Sequence, residues 1–453
     1  MSDFLSALEE RVLIFDGAFG TWVQAQDLGA DDFGGAELEG CNEHLVLTRP
    51  DLIRQMHAEY FAAGVDAVET ATFGAFGLVL AEYGIADKAL EMNRQAARLA
   101  REAAEQASTP DRPRFVVGSI GPGTRLPSLG AITFDALRDD YEVQASGLVE
   151  GGVDVLLVET VYDLLQGKAA IAACRRAMAA AGRTVPLMVQ VTMETTGRML
   201  VGSEIGAALT ALEAMRPDVI GLNCATGPSE MTEHLRYLSQ HARTFLSCLP
   251  NAGLPSVVDG RTHYDLTPEQ LADAHERNVS EFGLNIVGGC CGTTPEHLAA
   301  VVERIGTRAP LPRTPDFEPG CSSIYTHVPF AQELAYLAVG ERTNANGSKK
   351  FREAMLAADW DTCVQMAREQ VKEGAHVLDV CVDYVGHDGT VDMEEVASRF
   401  ATQAALPLVF DSTEPAVMEV GLKHSGGKAI LNSANLEDGE HEGSRLDRVF
   451  TLA

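Results

Sequence analysis

Between residues 12 and 292 the chain repeats one unit eight times: a short, continuously apolar run rich in β-branched residues, then an Ala-, Leu- and Glu-rich stretch with helical spacing. The runs fall at 12–18, 65–73, 114–123, 153–160, 185–193, 217–227, 244–253 and 284–292. A strand that is apolar on both faces needs cover on both, which predicts a parallel sheet with crossover helices. Eight such units in about 300 residues fit an α/β fold of the (β/α)8 TIM-barrel type. An open doubly wound sheet is the alternative, because strand order is not written in any one strand.

A barrel concentrates its chemistry at the C-terminal ends of the strands. The polar residues there are Asp16, Glu69, Ser119, Glu159, Thr192, Asn223 with Cys224, Asn251, and Cys290 with Cys291. Cys224 ends the sixth run and the cysteine pair ends the eighth. Loops from strands that are next-but-one neighbours converge above a barrel, within reach of one ion.

From about 306 to 332 the rhythm stops in a proline-rich stretch with no helical or strand period, read as an extended linker. It restarts at 336–344, 376–385, 406–412 and 428–436. The expected organisation is a barrel over 1–308, a linker over 309–333, and a partial second (β/α) barrel over 334–453. Four parallel strands leave an open edge and an uncovered face.

The balance of 35 Lys and Arg against 65 Asp and Glu gives a net charge of −30, which argues against nucleic acid or an anionic membrane as partner. The start, MSDFLSALEERV, lacks the cationic and apolar regions of a secretory signal, and no apolar run is long enough to span a bilayer. Nine thinly scattered cysteines suit a reducing cytoplasm better than a disulfide framework.

The stretch GGCCGTTPEH (288–297) sets Cys290 and Cys291 between glycines, with Thr294 and Pro295 placed to cap and open a helix. The pair reads as two metal ligands, as buried thiols, or as a vicinal disulfide. Three thiolates from Cys224, Cys290 and Cys291 would leave one position open, as reactive zinc sites do, and the flanking glycines let the backbone bend around an ion. For Cys174 and Cys363, on helical stretches, plain burial is the reading. Asp16, Glu69 and Glu159 are either bases or ammonium ligands, or solvated loop carboxylates. GSIGPG (118–123) lacks the spacing of a phosphate loop. In GERTNANGSKK (340–350), Asn344, Asn346, Gly347, Ser348 and Lys349 offer hydrogen bonds. Asp411 and Asn432 end the next strands, an arrangement suited to a heterocycle edge such as a pterin.

DGAFGT, VETATFGA, GSIGP, VETVYD, GLNC and GGCCGTTPEH together resemble the homocysteine-binding barrel of the cobalamin-dependent methionine synthase family. GERTN…GSKKFR, LDV, FDS and LNS resemble the start of that family's pterin-binding (folate) barrel. The resemblance covers nearly the whole chain. It implies Zn2+ on Cys224, Cys290 and Cys291, with the homocysteine thiol as fourth ligand. It implies homocysteine contacts from Asp16, Gly17, Thr21 and Glu159, with Asn223 in support, and folate contacts from Asn344, Gly347, Ser348, Lys349, Asp411 and Asn432. It also implies methylcobalamin as methyl donor, regenerated by 5-methyltetrahydrofolate and carried by a cobalamin-binding domain or subunit outside these residues, since no D-x-H-x-x-G signature is present. Two departures stand out: Ala71 in ETATF and Cys381 in LDVC, where the family commonly has asparagine. Rival expectations are a homocysteine methyltransferase using S-methylmethionine or betaine, and a fragment that binds homocysteine or folate without turnover.

Overall fold

The computed structural model describes residues 3–258, 261–333 and 336–453. Eight parallel strands form the first sheet: β1 (Leu13–Ile14), β2 (Ala67–Glu69), β3 (Phe115–Ile120), β4 (Val155–Val161), β5 (Leu187–Val191), β6 (Val219–Asn223), β7 (Phe245–Leu249) and β8 (Ile286–Val287). The order is β1-β8-β7-β6-β5-β4-β3-β2. A parallel bridge between Phe15 and Ala67 and an Asp66 N–H to Ile14 O bond of 2.7 Å join the outer strands and close the barrel. The open-sheet alternative is thereby set aside.

Alternate side chains of these strands point inward. Leu13, Phe15, Ala67, Val117, Val155, Leu157, Met188, Val219 and Ile286 fill the interior, and the helix Asp3–Glu10 plugs its N-terminal end with Phe4 and Leu8. Phe4 meets Phe115 edge-on at 5.3 Å. Outward-facing residues pack against the surrounding helices, so both faces of every strand are dry. With its interior filled, the barrel leaves its ligand cavity above the strands, at the C-terminal end.

The second unit is a parallel sheet of β9 (Val339–Gly340), β10 (Val377–Val380), β11 (Leu408–Asp411) and β12 (Ile430–Asn432), in that order. Phe351, Val380, Phe400 and Phe410 build its own core against the helices.

The proline-rich stretch departs from expectation. Gly320–Ser322 pairs antiparallel with His327–Pro329, and Cys321 packs on Val377 and Val409, the sheet face that four strands alone would leave bare. A three-residue strand beside prolines carries no readable period, so the hairpin is invisible in sequence. It touches the first barrel too, where His327 Nδ1 lies 2.8 Å from Thr210 Oγ1. Lys168, on the helix after β4, donates to Ser425 O (3.0 Å) and Gly427 O (2.9 Å) of the second unit. Among the described residues no helix is long and apolar enough to cross a membrane.

Candidate metal centre and ligand cavity

After β6 the backbone passes through two left-handed residues, Cys224 (φ 58°) and Ala225 (φ 55°). Such strain persists only where the surroundings enforce it. It leaves Cys224 Sγ 3.8 Å from Cys291 Sγ. The cysteine pair follows β8 on a loop packed too tightly for side chains. A Cβ on Gly289 would lie 2.3 Å from Thr293 Oγ1, and one on Gly17 would lie 2.5 Å from the same atom. Thr293 Oγ1 donates to Cys290 O at 2.6 Å, and the Gly292 amide donates to Thr21 Oγ1 at 2.9 Å. The helix Pro295–Ile305 then begins at Thr294, as expected.

The sulfurs of Cys224, Cys290 and Cys291 lie within 4.8 Å of one another. Mutual contact and burial hold the Cys290 and Cys224 thiols above their ordinary value while the two thiols favour a thiolate at Cys291, so the cluster alone favours one thiolate and not three. Three crowded thiolates are therefore disfavoured unless a cation joins them. All nine cysteines are free, and Cys174 and Cys363 are buried on helices.

The sulfurs line one wall of a cavity of about 300 Å³ at the C-terminal end of the barrel. Asp16, Gly17, Thr21, Glu159 and Asn223 line it as well, so all eight residues expected for the first barrel's site converge there. Asn223 Nδ2 donates to Glu159 Oε2 (3.1 Å) and Thr160 Oγ1 (2.8 Å), while its Oδ1 accepts the Thr160 amide (2.8 Å). Ser119 Oγ donates to Glu159 Oε1 at 2.5 Å. Burial pushes Glu159 up to about 7 and raises Asp16 strongly. Thr21 is a brace for the cysteine loop as well as a cavity residue. Glu69, Ser119, Thr160 and Tyr264 also line the cavity, although the family resemblance gives them no role. The strand-end positions of Glu69 and Ser119 flag them in sequence; nothing flags Tyr264, whose ring lies against Gly292. Thr192 and Asn251 lie outside the lining, and Thr192 Oγ1 instead donates to Asn223 O at 2.9 Å. Ala71 is fully buried, and Thr70 and Thr72 make the local polar contacts: Ser119 N to Thr70 Oγ1 (3.0 Å) and Thr72 Oγ1 to Ser119 O (2.7 Å).

In the second unit Asn344 is the hub. Its Nδ2 donates to Asp379 Oδ2 (2.8 Å) and Asp411 Oδ2 (3.3 Å), and its Oδ1 accepts the Asn346 and Gly347 amides. Ser348 caps the helix Lys349–Leu356. Lys349 is exposed and faces Glu353, and Asn432 is exposed at the end of β12. Asn344, Gly347 and Asp411 thus gather around one strand end. Asp379 and Asp383 join them unannounced: Asp379 reads as a buried-strand residue in LDV, and Asp383 accepts from Ser412 Oγ at 2.7 Å. Cys381 Sγ receives Asn346 Nδ2 at 3.6 Å.

Residues 13–305 match the family model described as homocysteine S-methyltransferase, and residues 340–449 match that of pterin binding enzymes. The first match takes in well over half of the chain, and the protein belongs to the homocysteine S-methyltransferase family. It is 52% identical over 451 residues to methionine synthase of Mycobacterium tuberculosis and 51% identical over 456 residues to methionine synthase of Mycobacterium leprae. Each alignment takes in 100% of this chain and 38% of the relative, so the chain spans little more than a third of the length of these curated relatives. The fold is shared with the homocysteine methyltransferase MmuM from Escherichia coli in its metallated form, at a TM-score of 0.54 and 23% identity over 66% of this chain and 98% of that one.

Proposed function

We propose that the chain is the homocysteine- and folate-binding part of a cobalamin-dependent methionine synthase, with its first barrel activating homocysteine as the methyl acceptor. The observation that carries this is the meeting of three sulfurs and a set of buried carboxylates in one cavity. Cys224, Cys290 and Cys291 form a soft donor set that fits zinc and leaves a position for a substrate thiol. Bound there, zinc would keep that thiol deprotonated and nucleophilic at neutral pH.

The remaining work falls to the chain's own side chains. Thr21 and Thr293 fix the cysteine loop. Asp16, Gly17 and Glu159 surround the amino-acid end of homocysteine, and Asn223 holds Glu159. The barrel's filled interior keeps water from entering from below. In the second unit Asn344, Gly347, Ser348, Lys349, Asp411 and Asn432 offer donors and acceptors to a tetrahydrofolate pterin. Methylcobalamin, on a domain or subunit outside these residues, is the methyl donor, restored by 5-methyltetrahydrofolate. Nine free cysteines accord with a cytoplasmic setting.

The test is metal analysis together with homocysteine-dependent loss of methylcobalamin absorbance. Wild type should bind zinc and consume methylcobalamin; Cys290→Ala should do neither. Equal rates for the two proteins would sink the reading. Methionine formed from S-methylmethionine or betaine without cobalamin would redirect it to a small onium donor.

A further inference from the structure

Asp16 and Glu159, the two carboxylates that the family resemblance assigns to homocysteine, already have their oxygens engaged by the protein. Both Asp16 oxygens face the Glu69 amide, at 3.1 and 3.2 Å. Glu159 Oε1 is held by Ser119, and Oε2 by Asn223 and by Thr160 Oγ1 at 3.4 Å. A fourth cavity acid, Glu43, is tied to the Gly74 amide at 2.8 Å. Glu69 differs. At the end of β2, its Oε1 is buried and has no hydrogen-bond partner.

An orphaned carboxyl oxygen out of water is costly, and one in a native protein calls for an explanation. The cavity lining contains no Lys, Arg or His to neutralise it. The Glu69 carboxyl shares a hydrogen bond with that of Glu159, and the charges of Asp16 and Glu159 add to the effect of burial on it. The place is therefore rich in acidic groups, without a cationic side chain in its lining, and bounded on the same cavity by three sulfurs. A ligand that carries a thiol at one end and an ammonium at the other satisfies both.

We propose that Glu69 is the principal acceptor for the substrate's ammonium group and sets the site's preference for an α-amino thiol over the corresponding des-amino thiol. This rests on the homocysteine reading above. Asp16 and Glu159 form the surrounding negative wall, held rigid by the donors they already have.

The experiment is calorimetric titration of the zinc-loaded protein with L-homocysteine and with 4-mercaptobutanoate, which keeps the thiol and carboxylate but has hydrogen in place of the ammonium. Wild type should prefer homocysteine by about tenfold or more, the worth of a charge-assisted hydrogen bond. Glu69→Gln should lose about tenfold in homocysteine affinity and Glu69→Leu more, while both bind 4-mercaptobutanoate within about twofold of wild type. Equal affinity of wild type for the two thiols would overturn the inference without any variant. So would variants that bind homocysteine normally or lose both thiols alike. A wild-type protein that binds neither thiol would instead bring down the homocysteine reading itself.

Discussion

Asn223 Oδ1 accepts the backbone amide of Thr160 at 2.8 Å, and Thr160 sits in the left-handed region at φ 56°. One carboxamide on β6 thus holds a strained residue at the end of β4 and, through Nδ2, the Glu159 beside it. Asn223→Ala would strand the amide and a carboxyl oxygen in a buried place. We expect a loss of roughly 2–3 kcal/mol in urea unfolding, from unpaired buried polar groups, and weaker homocysteine binding by calorimetry.

The cysteine cluster predicts a stoichiometric metal. Wild type should carry about one zinc per chain by elemental analysis, whereas Cys224→Ala, Cys290→Ala and Cys291→Ala should each fall towards zero. Their circular dichroism should stay close to wild type, because the cysteines sit on loops beyond the strand ends and outside the packed barrel interior.

His57 predicts a pH dependence. It is fully buried, neither ring nitrogen has a partner, and burial lowers its pKa to about 3. The unfolded chain takes up this proton near pH 6.5 and the folded chain does not. Stability from His57 is therefore complete above that value and is lost as pH falls towards 3. Between pH 7 and pH 5 wild type should lose about 2 kcal/mol more than His57→Leu in urea unfolding. The buried acids, whose raised values act in the opposite sense, are common to both proteins and cancel in the difference.

In the second unit, Asn344→Ala removes the donor shared by Asp379 and Asp411 and leaves Asp411 with Ser433 alone. Tetrahydrofolate binding, followed by fluorescence, should weaken at least tenfold, the scale of a lost charge-assisted bond. Zinc content and homocysteine binding should not change, because these residues lie outside the first cavity.

The eight strands were legible because each is a dry, continuous apolar run, and a parallel barrel admits little else. The three cysteines and Asp16, Glu159 and Asn223 were legible because a barrel sends every strand end to one mouth. The hairpin at Gly320–Pro329 was not, since its strands borrow their burial from Val377 and Val409 far along the chain. Nor was the difference between Glu69 and its neighbours. Three acids at three strand ends look alike in sequence; which one keeps an unpartnered oxygen depends on where Ser119, Asn223 and the Glu69 amide reach.

The contact of Lys168 with Ser425 and Gly427 bears on any attempt to separate the two units. Its ammonium is part-buried and is held by two carbonyl oxygens of the other unit, and burial lowers its pKa to about 8. Cutting the chain between the units would take both acceptors away and return the ammonium to water, so the pKa of Lys168 in a first barrel produced alone should rise back from about 8. The second unit thus sets the protonation of a lysine that belongs to the first.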